Sequence, residues 1–305
     1  MDHIFAEGPP ATEAYDTTLP AFEAYVEKVE AWFAARGGDY AAIDEEARRH
    51  PDPGAVLGFR IALKIAESRR ILAALDRPVT LTLLNPVYKE TGRIQRREEH
   101  PHGENSIRYK AGVLKQLELL NPHLSCQLVV IDDECPDGSG QMAAGILESD
   151  FPAEFANGTF RVLMLRDAID DGDPELPPGL THKDGANRSV KGGALLFGAR
   201  KMVGQEVEGL HILVDNDADL SVHPAQLGLL VEAIAAGDAG AVAGSRREDD
   251  SVALIGGSRN VRGRLFIKIW QHLLPELATR VTDTNRAFKA FSAEALARIL
   301  SGIEI

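Results

Sequence analysis

The sequence predicts an α/β protein built on a mostly parallel, Rossmann-like sheet that is flanked by helices. From Arg77 onward, short β-rich runs alternate with amphipathic helical patterns, as in right-handed βαβ crossovers. Polar residues follow the apolar runs, where such sheets bind ligands beyond the carboxyl ends of their strands. Residues 1–76 instead show only helical patterns. We therefore expect an N-terminal helical extension over residues 1–76 and a second domain over residues 77–305.

The amino-acid composition favours a globular protein and argues against several other classes of protein. The chain has 305 residues, of which 44% are hydrophobic and 26% charged, so it is long and apolar enough for a globular core. Its net charge of -13 argues against an extended nucleic-acid surface. The two cysteines, Cys126 and Cys135, are too few for a disulfide framework. With neither a membrane-length apolar run nor the pattern of a signal peptide, the sequence favours a cytoplasmic protein.

Two amphipathic helices, each with an apolar face, are predicted in the N-terminal extension. The first has Thr18 and Pro20 as start signals and Gly37 with Gly38 as a stop, and its apolar face is formed by Phe22, Tyr25, Val26, Val29, Trp32 and Phe33. The second runs through Leu57, Ile61, Ile65, Leu72 and Leu75. "RHPDPG" at residues 49–54 predicts a turn between them.

The second domain contains five predicted strands and four predicted helices. The strands are "PVTLTLLNP", "CQLVVIDD", "FRVLMLRD", "LHILVDND" and "AGAVAGSR", and the helices cover 107–120, 142–147, 190–203 and 225–236. Residues 166–189 are rich in Gly, Pro and Asp and too long for a simple connection. We expect that segment to form a mobile loop over the site.

The second predicted strand ends in the acidic sequence "VVIDDECPDGSG". Asp132 and Asp133 follow its β-branched run, and carboxylates in this position can accept hydrogen bonds from a nucleobase or a ribose. An acidic turn that caps a helix starting near Ser139 explains the same residues, and both interpretations stay open.

The fourth predicted strand also ends in carboxylates, Asp215, Asp217 and Asp219. Carboxylates that converge at one edge of a sheet repel one another and raise each other's pKa unless a cation lies among them. Mg²⁺ and Mn²⁺ prefer oxygen ligands and could bridge to a substrate diphosphate. The cluster therefore predicts a metal site that the phosphates of a substrate would complete.

In their order, these motifs resemble the family 2 inverting glycosyltransferases with the GT-A fold, and most closely the branch that acts on dolichyl or polyprenyl phosphate. The motifs lie within roughly residues 79–292 and are "LLNPVYKE", "VIDDECPDGS", "KGGALLFGAR", "DADLSVHP", "AGSRRED" and "DTNRAFKAF". The resemblance implies transfer of a sugar from a nucleoside diphosphate sugar such as a UDP- or GDP-sugar, with Mg²⁺ or Mn²⁺ as the metal cofactor.

The resemblance also implies roles for individual residues. Asp217 and Asp219 would hold the metal, Arg246 would contact a phosphate, and Asp283 would act as the catalytic base for a hydroxyl acceptor. The residues expected to bind the donor nucleotide are Pro86, Val87, Tyr88, Glu90, Asp132, Asp133, Lys191 and Asp217.

Some positions depart from the family pattern. Ala287 stands where the family usually has glycine, and Ser221 stands where the polyprenyl-phosphate branch often has glutamine. Residues 91–103 form an insertion; His100 and His102 within it, and its basic "RIQRREE" run, are expected to be solvated. The motifs of processive synthases are absent, so a polymerising enzyme is not expected.

The acceptor is expected to be a lipid phosphate or a small molecule: the resemblance favours a polyprenyl phosphate or other lipid carrier, whereas the acidic charge balance and the lack of a membrane-length apolar run favour a small soluble molecule. A homodimer or a peripheral membrane contact is compatible with either. A phosphate acceptor would need no base, and Arg259 or Arg262 would help to bind it. Two other functions stay open. One is a sugar nucleotidyltransferase, although the early "G-x-G-T-R" loop of that class is missing; the other is a non-catalytic protein that binds nucleotide sugars.

Overall fold

The structure, a computed structural model, describes residues 2–9, 16–181, 187, 189, 191–254, 257–283 and 286–303. The helices are α1 (Asp2–Ala6), α2 (Pro20–Ala34), α3 (Tyr40–Arg48), α4 (Leu57–Ala73), α5 (Thr91–Ile94), α6 (Ser106–Glu118), α7 (Ser139–Asp150), α8 (Pro152–Ala156), α9 (Leu165–Asp171), α10 (Gly192–Val203), α11 (Gly228–Ala235), α12 (Gly257–Leu273), α13 (Pro275–Ala278) and α14 (Ala293–Leu300). The strands are β1 (Val79–Val87), β2 (Leu124–Asp132), β3 (Phe160–Met164), β4 (Leu210–Asp215), β5 (Ala241–Ala243) and β6 (Lys289–Ser292).

In the described part of the chain, the strands form a six-stranded sheet in the order β3-β2-β1-β4-β6-β5. β1 is parallel to β2 on one side and to β4 on the other, with Val79 opposite both Leu124 and Leu210. The chain therefore moves outward from β1 to β3 and returns on the opposite side at β4. This reversal is a topological switch point, where α/β sheets bind their ligands. The predicted fold class is confirmed.

The strands of the structure agree with the sequence prediction more closely than the segments that connect them. All five predicted strands are present, and β6 adds a strand antiparallel to β4. The predicted loop at residues 166–189 was wrong in its first part, because α9 continues to Asp171. Residues 182–186 and 188 of that segment lie outside the described residues.

α10 lies unusually close to the sheet because of its small residues. A Cβ atom placed on Gly198 would lie 2.7 Å from Cγ1 of Ile131 on β2, so only glycine allows this approach. Phe197 and Met202 on the same helix are buried in the core with Leu84 and Leu213. This close packing brings the start of α10 to the carboxyl edge of the sheet, where the site residues lie.

The chain forms two compact units, Leu72–Ala225 with Leu230–Val242 and Ala287–Ile305, and Met1–Ile71 with Gln226–Leu229 and Ala243–Arg286. The first of these, the sheet unit, contains β1 to β4 and β6. The second, the helical unit, contains α2, α4 and α12. The division into domains at residue 76 remains a proposal.

The helical unit has an aromatic core and an internal network of ion pairs. The ring of Phe59 makes edge contacts with Trp32 and Phe5, at centroid distances of 5.5 and 4.8 Å. Arg60 Nε donates to the buried carboxylate of Asp44 at 2.8 Å. Among the described residues, no helix is both long and apolar enough to cross a membrane.

Candidate active site

The end of β2 is held by the carboxylate of Asp132, which organises the following loop. Its Oδ1 accepts a hydrogen bond from the backbone N–H of Cys135 at 2.8 Å, and its Oδ2 accepts one from Gly140 at 2.7 Å. Burial raises the pKa of Asp132. A Cβ atom at position 140 would lie 2.6 Å from Cβ of Asp132, so the loop requires glycine there. Asp132 thus connects the strand to the start of α7, which agrees with the capping interpretation of this residue.

Asp133, the next residue, points instead toward the start of α10. Its Oδ2 accepts a hydrogen bond from the backbone N–H of Lys191 at 2.7 Å, and the side-chain amide of Asn187 lies 3.5 Å from its Oδ1. Lys191 precedes α10 with a φ of 61°, a conformation that costs free energy for a residue with a side chain. The bond from Asp133 stabilises this turn. Asp132 and Asp133 therefore contact different parts of the chain, although the sequence analysis predicted the same nucleotide-binding role for both.

The side chain of Lys191 connects this region to the segment after β4. Its Nζ donates a hydrogen bond to Oδ1 of Asp217, while its backbone is held by Asp133. The side chains of Lys191 and Asp217 are 51% and 39% exposed, so a ligand can reach both. Asp219 Oδ1 accepts a bond from the backbone N–H of Ser221 at 3.1 Å. The ends of β2 and β4 thus converge on one exposed lysine.

We tested whether these residues fit the predicted divalent metal. Asp217 and Asp219 supply carboxylate oxygens, which are the ligands that Mg²⁺ and Mn²⁺ prefer, and the Asp217 carboxylate already binds the cation of Lys191. Within the described residues, no group of three or more His, Cys, Asp or Glu side chains could hold a metal ion by itself. The donor set fits a hard cation that takes its remaining ligands from water and phosphate.

Beneath this exposed pair lies Lys110 of α6, which is fully buried. Its Nζ donates to Oδ1 of Asn85 on β1 at 2.5 Å and to the backbone carbonyl of Asp217. Burial lowers the pKa of Lys110 to about 7, while Asp219, Asp217, Glu104 and Glu90 act in the opposite direction. The lysine is therefore held in place by oxygens from β1 and from the segment after β4.

The predicted nucleotide loop extends β1 and turns toward the end of β2. Pro86 and Val87 are buried at the strand end, whereas Tyr88 is 49% exposed. Glu90 N donates to Oγ of Ser139 at 2.9 Å, and its carboxylate accepts from Arg93 at 2.5 Å. The loop is thus attached to the start of α7, and the ring of Tyr88 is available to a ligand.

Arg246 and Asp283, the predicted catalytic residues, belong to the helical unit and pair with each other. Arg246 donates from Nε to Oδ2 of Asp283 at 2.7 Å and from Nη2 to Oδ1 at 2.9 Å. The backbone N–H of Arg246 also lies 3.3 Å from Oδ2 of Asp283. The Asp283 side chain is 0% exposed. Both carboxylate oxygens therefore accept hydrogen bonds from the same arginine.

Several polar residues near the acidic segment were not singled out from the sequence. They include Lys110 and Asn85, together with Glu104, which accepts a bond from Leu220 N at 2.8 Å. The rings of Tyr109 and His223 also meet, with the hydroxyl oxygen 2.7 Å from Nε2. One signal was available: Lys110 interrupts the buried face of α6 between Ile107 and Leu114. A charged residue among core positions needs polar partners.

These elements define a class of protein: an α/β protein with an acidic and basic site at the switch point of its sheet. The sequence matches the family described as "Glycosyl transferase family 2" over residues 108–299. The chain belongs to this family. The predicted family is confirmed, whereas the polyprenyl-phosphate branch remains a prediction.

Solved structures of two synthases show similarity to this chain. The first is glucosyl-3-phosphoglycerate synthase from Mycobacterium tuberculosis in complex with Mn²⁺, UDP and glucosyl-3-phosphoglycerate, with 18% identity, a TM-score of 0.42, and coverage of 75% of this chain and 61% of that one. The second is mannosyl-3-phosphoglycerate synthase from Rubrobacter xylanophilus, with 16% identity, a TM-score of 0.41, and coverage of 75% and 57%. The chain thus covers about three fifths of the length of these proteins. A search of curated proteins gave no significant match.

Proposed function

We propose that this protein is a metal-dependent, inverting glycosyltransferase that uses a nucleoside diphosphate sugar. The observation that carries the proposal is the convergence of Asp133 and Asp217 on Lys191 at the switch point of the sheet. A diphosphate bound there would have a lysine ammonium beside it, and the base and ribose would be near the carboxylate-rich end of β2. The family assignment supports the same chemistry.

The central requirement of the reaction is to stabilise the leaving nucleoside diphosphate. As the acceptor oxygen attacks the anomeric carbon, negative charge grows on the diphosphate. Lys191 would donate a charge-assisted hydrogen bond to a phosphate oxygen, and the exposure of its side chain allows it to exchange Asp217 for that oxygen. Mg²⁺ or Mn²⁺ held by Asp217 and Asp219 would supply Lewis-acid stabilisation of the same charge.

We propose an acceptor that carries a phosphate group, on a lipid or on a small molecule. α12 carries four arginine and lysine residues and no acidic residue, although the net charge of the chain is -13. These basic residues are Arg259, Arg262, Arg264 and Lys268. The Arg259 side chain lies outside the described residues, whereas Arg262 is exposed. Clustered cations of this kind favour a phosphate. Val261, Leu265 and Leu273 on the same helix are at least 60% exposed, which is a feature suited to a lipid acceptor.

The role of Asp283 depends on that acceptor. A hydroxyl acceptor needs a base, and Asp283 remains our predicted base for it. A phosphorylated small molecule that reacts through a hydroxyl still needs this base. An acceptor that reacts through a phosphate oxygen needs none, and the bidentate pair would then orient Arg246 as a ligand for phosphate. The pairing of both oxygens of Asp283 with one guanidinium supports the second role.

The function can be tested by product analysis. The protein is incubated with Mn²⁺ and labelled UDP- or GDP-sugars, together with polyprenyl phosphate in vesicles, a soluble phosphorylated hydroxy acid, or an unphosphorylated sugar. Free nucleoside diphosphate and a glycosylated phosphate acceptor are expected. Pyrophosphate as a product would indicate a nucleotidyltransferase, and binding without turnover would indicate a non-catalytic protein. Glycosylation of the unphosphorylated sugar alone would refute the proposed acceptor class.

Metal and donor are also expected to bind as a unit, since the protein alone offers few metal ligands. Calorimetry with Mn²⁺ should show weak binding to the free protein and at least about tenfold tighter binding when nucleoside diphosphate is present. Equal Mn²⁺ affinity with and without the nucleotide would contradict the shared site.

A further inference from the structure

A buried lysine lies directly behind the predicted metal-binding segment. Lys110 is 0% exposed, and its ammonium is bonded to the side chain of Asn85 and to the backbone carbonyl of Asp217. Placing an ammonium in the interior costs several kcal/mol unless hydrogen bonds offset the lost hydration. Methionine or leucine would fill the same space at lower cost. The sequence nevertheless places a lysine here, and its partner is the backbone carbonyl of Asp217, whose carboxylate is a predicted metal ligand.

The contact from Lys110 belongs to a series made by one short stretch of chain. Glu104 accepts a hydrogen bond from the backbone N–H of Leu220 at 2.8 Å. Tyr109 contacts His223, with 2.7 Å between the hydroxyl oxygen and Nε2. Nδ1 of His223 accepts a hydrogen bond from the backbone N–H of Ala225 at 3.1 Å, and in a neutral ring this leaves Nε2 as the donor to the hydroxyl oxygen of Tyr109. Residues 104–110 therefore hold the segment after β4 at positions 217, 220 and 223.

Among these contacts, the one from Lys110 acts on Asp217 itself. A hydrogen bond to the carbonyl of Asp217 restricts the peptide plane between Asp217 and Ala218, and this plane sets the directions of the flanking carboxylates. Asn85 lies on β1 opposite Val130 and is fully buried, so the lysine is anchored to the centre of the sheet. The acidic segment is thereby attached, through Lys110, to the central strand of the sheet.

We propose that Lys110 is a positioning residue, which fixes the backbone at Asp217 so that the carboxylates of Asp217 and Asp219 are held in the geometry that binds the cation. This inference rests on the proposed function of Asp217 and Asp219. Groups that orient metal ligands in this way change metal affinity by about 10–100-fold when they are removed.

The test compares Lys110→Met with Lys115→Met. Methionine matches the length and fills the apolar space, but it donates no hydrogen bond to Asn85 or Asp217. Lys115 lies on the same helix with a side chain that is 44% exposed and pairs with Glu154, so its replacement is a matched control. Calorimetry measures Mn²⁺ binding to each variant of the 305-residue chain in the presence of nucleoside diphosphate.

We expect the apparent Mn²⁺ affinity to fall at least about tenfold in Lys110→Met and to stay unchanged in Lys115→Met. A lysine with a merely structural role would change the melting temperature but not the Mn²⁺ affinity of the folded protein. Unchanged Mn²⁺ affinity in Lys110→Met would therefore overturn the proposal. Wild-type protein that binds no Mn²⁺ with nucleotide would instead refute the proposed function itself.

A second variant covers the case in which Lys110→Met does not fold. Lys110→Gln keeps a side-chain N–H donor, although on a shorter side chain, and we expect a smaller fall in Mn²⁺ affinity than in Lys110→Met. Failure of both variants to fold would also overturn the proposal, because it would make the lysine a requirement of the fold and not of the site.

Discussion

Two pairs of a carboxylate with a cation, one in each compact unit, differ in almost every physical respect. The pair in the sheet unit, Lys191 with Asp217, is exposed, and the ammonium contacts one carboxylate oxygen. The pair in the helical unit, Arg246 with Asp283, has a fully buried carboxylate with both oxygens bonded to the guanidinium. The sequence had marked all four residues as candidates for the same reaction.

This difference indicates different roles. An exposed ion pair contributes little to the free energy of unfolding. Lys191 and Asp217 can therefore separate and bind a ligand at a small cost in free energy. A bidentate pair with a buried carboxylate is costly to break, because removing one partner takes two charge-assisted hydrogen bonds from the other. We therefore expect the first pair to act on the diphosphate through exchange, and the second to act as one preformed unit that presents Arg246.

The largest effect is expected when the exposed pair loses its carboxylate. Asp217→Asn should lower kcat/KM by roughly 10²–10³-fold. The metal would lose one of its protein ligands, and the negative charge that grows on the diphosphate would then be stabilised less. The free energy of unfolding should change by less than about 0.5 kcal/mol, as at other exposed positions. Steady-state kinetics and urea unfolding measure the two quantities.

The matched control for this variant is Asp173→Asn. Asp173 also pairs with an exposed lysine, Lys201 at 2.8 Å, but it lies beyond the end of α9 and outside the candidate site. Equal losses of kcat/KM in the two variants would contradict the assignment of Asp217 to the site.

For the buried pair, the expected change is in stability. Asp283→Asn should lower the free energy of unfolding by about 3 kcal/mol, since the guanidinium of Arg246 would lose its charged partner. If Asp283 is also the base for a hydroxyl acceptor, turnover with that acceptor should fall by roughly a hundredfold, measured well below the melting temperature. Stability close to that of the wild type would show that the two pairs do not differ as proposed.

The sheet could be predicted because its signal is local. Each strand is a short run of apolar and β-branched residues bounded by polar residues, and the alternation with helices predicts parallel pairing. β6 was harder to find, because "KAFS" at residues 289–292 is short and its neighbours in the sheet, β4 and β5, are distant in the sequence. The sequence did not predict α9, because the Gly, Pro and Asp residues that follow this helix are typical of a loop.

The site could be predicted only in part. The sequence identifies Asp133, Asp217 and Lys191, but it does not show that they contact one another, because Lys191 is separated from Asp133 by 58 positions and from Asp217 by 26. A one-dimensional pattern also cannot distinguish Asp132, which holds its own loop, from its neighbour Asp133. Lys110 was missed because its polar partners come from β1 and from the segment after β4.

A buried histidine contributes to the acid sensitivity of the protein, and this contribution bears on how the two pairs are compared. Burial lowers the pKa of His211 to about 4, while Nε2 of its ring lies 2.8 Å from Oγ1 of Thr82. An unfolded chain takes up this proton below about pH 6.5, whereas the folded protein does not, so stability falls as the pH decreases toward 4. Between pH 7.5 and 5 the loss should be about 2 kcal/mol.

Urea unfolding at several pH values measures this loss, and His211→Gln should remove most of it. A loss of the same size in the variant would assign the acid sensitivity to other groups. The two ion pairs are therefore best compared near pH 7.5, where the imidazole is neutral in both states.

The smallest expected effect is the coupling within the exposed pair itself. A double-mutant cycle of Lys191→Gln and Asp217→Asn should give a coupling free energy below about 1 kcal/mol, and salt should reduce it further, because both groups are hydrated and screened. The same cycle on Arg246→Gln and Asp283→Asn should give a larger value that salt changes little, since the carboxylate of Asp283 has no exposed surface. Urea unfolding at low and at 1 M salt measures both cycles. Couplings of equal size and equal salt dependence would remove the distinction between a pair that exchanges partners with a ligand and a pair that is a fixed unit.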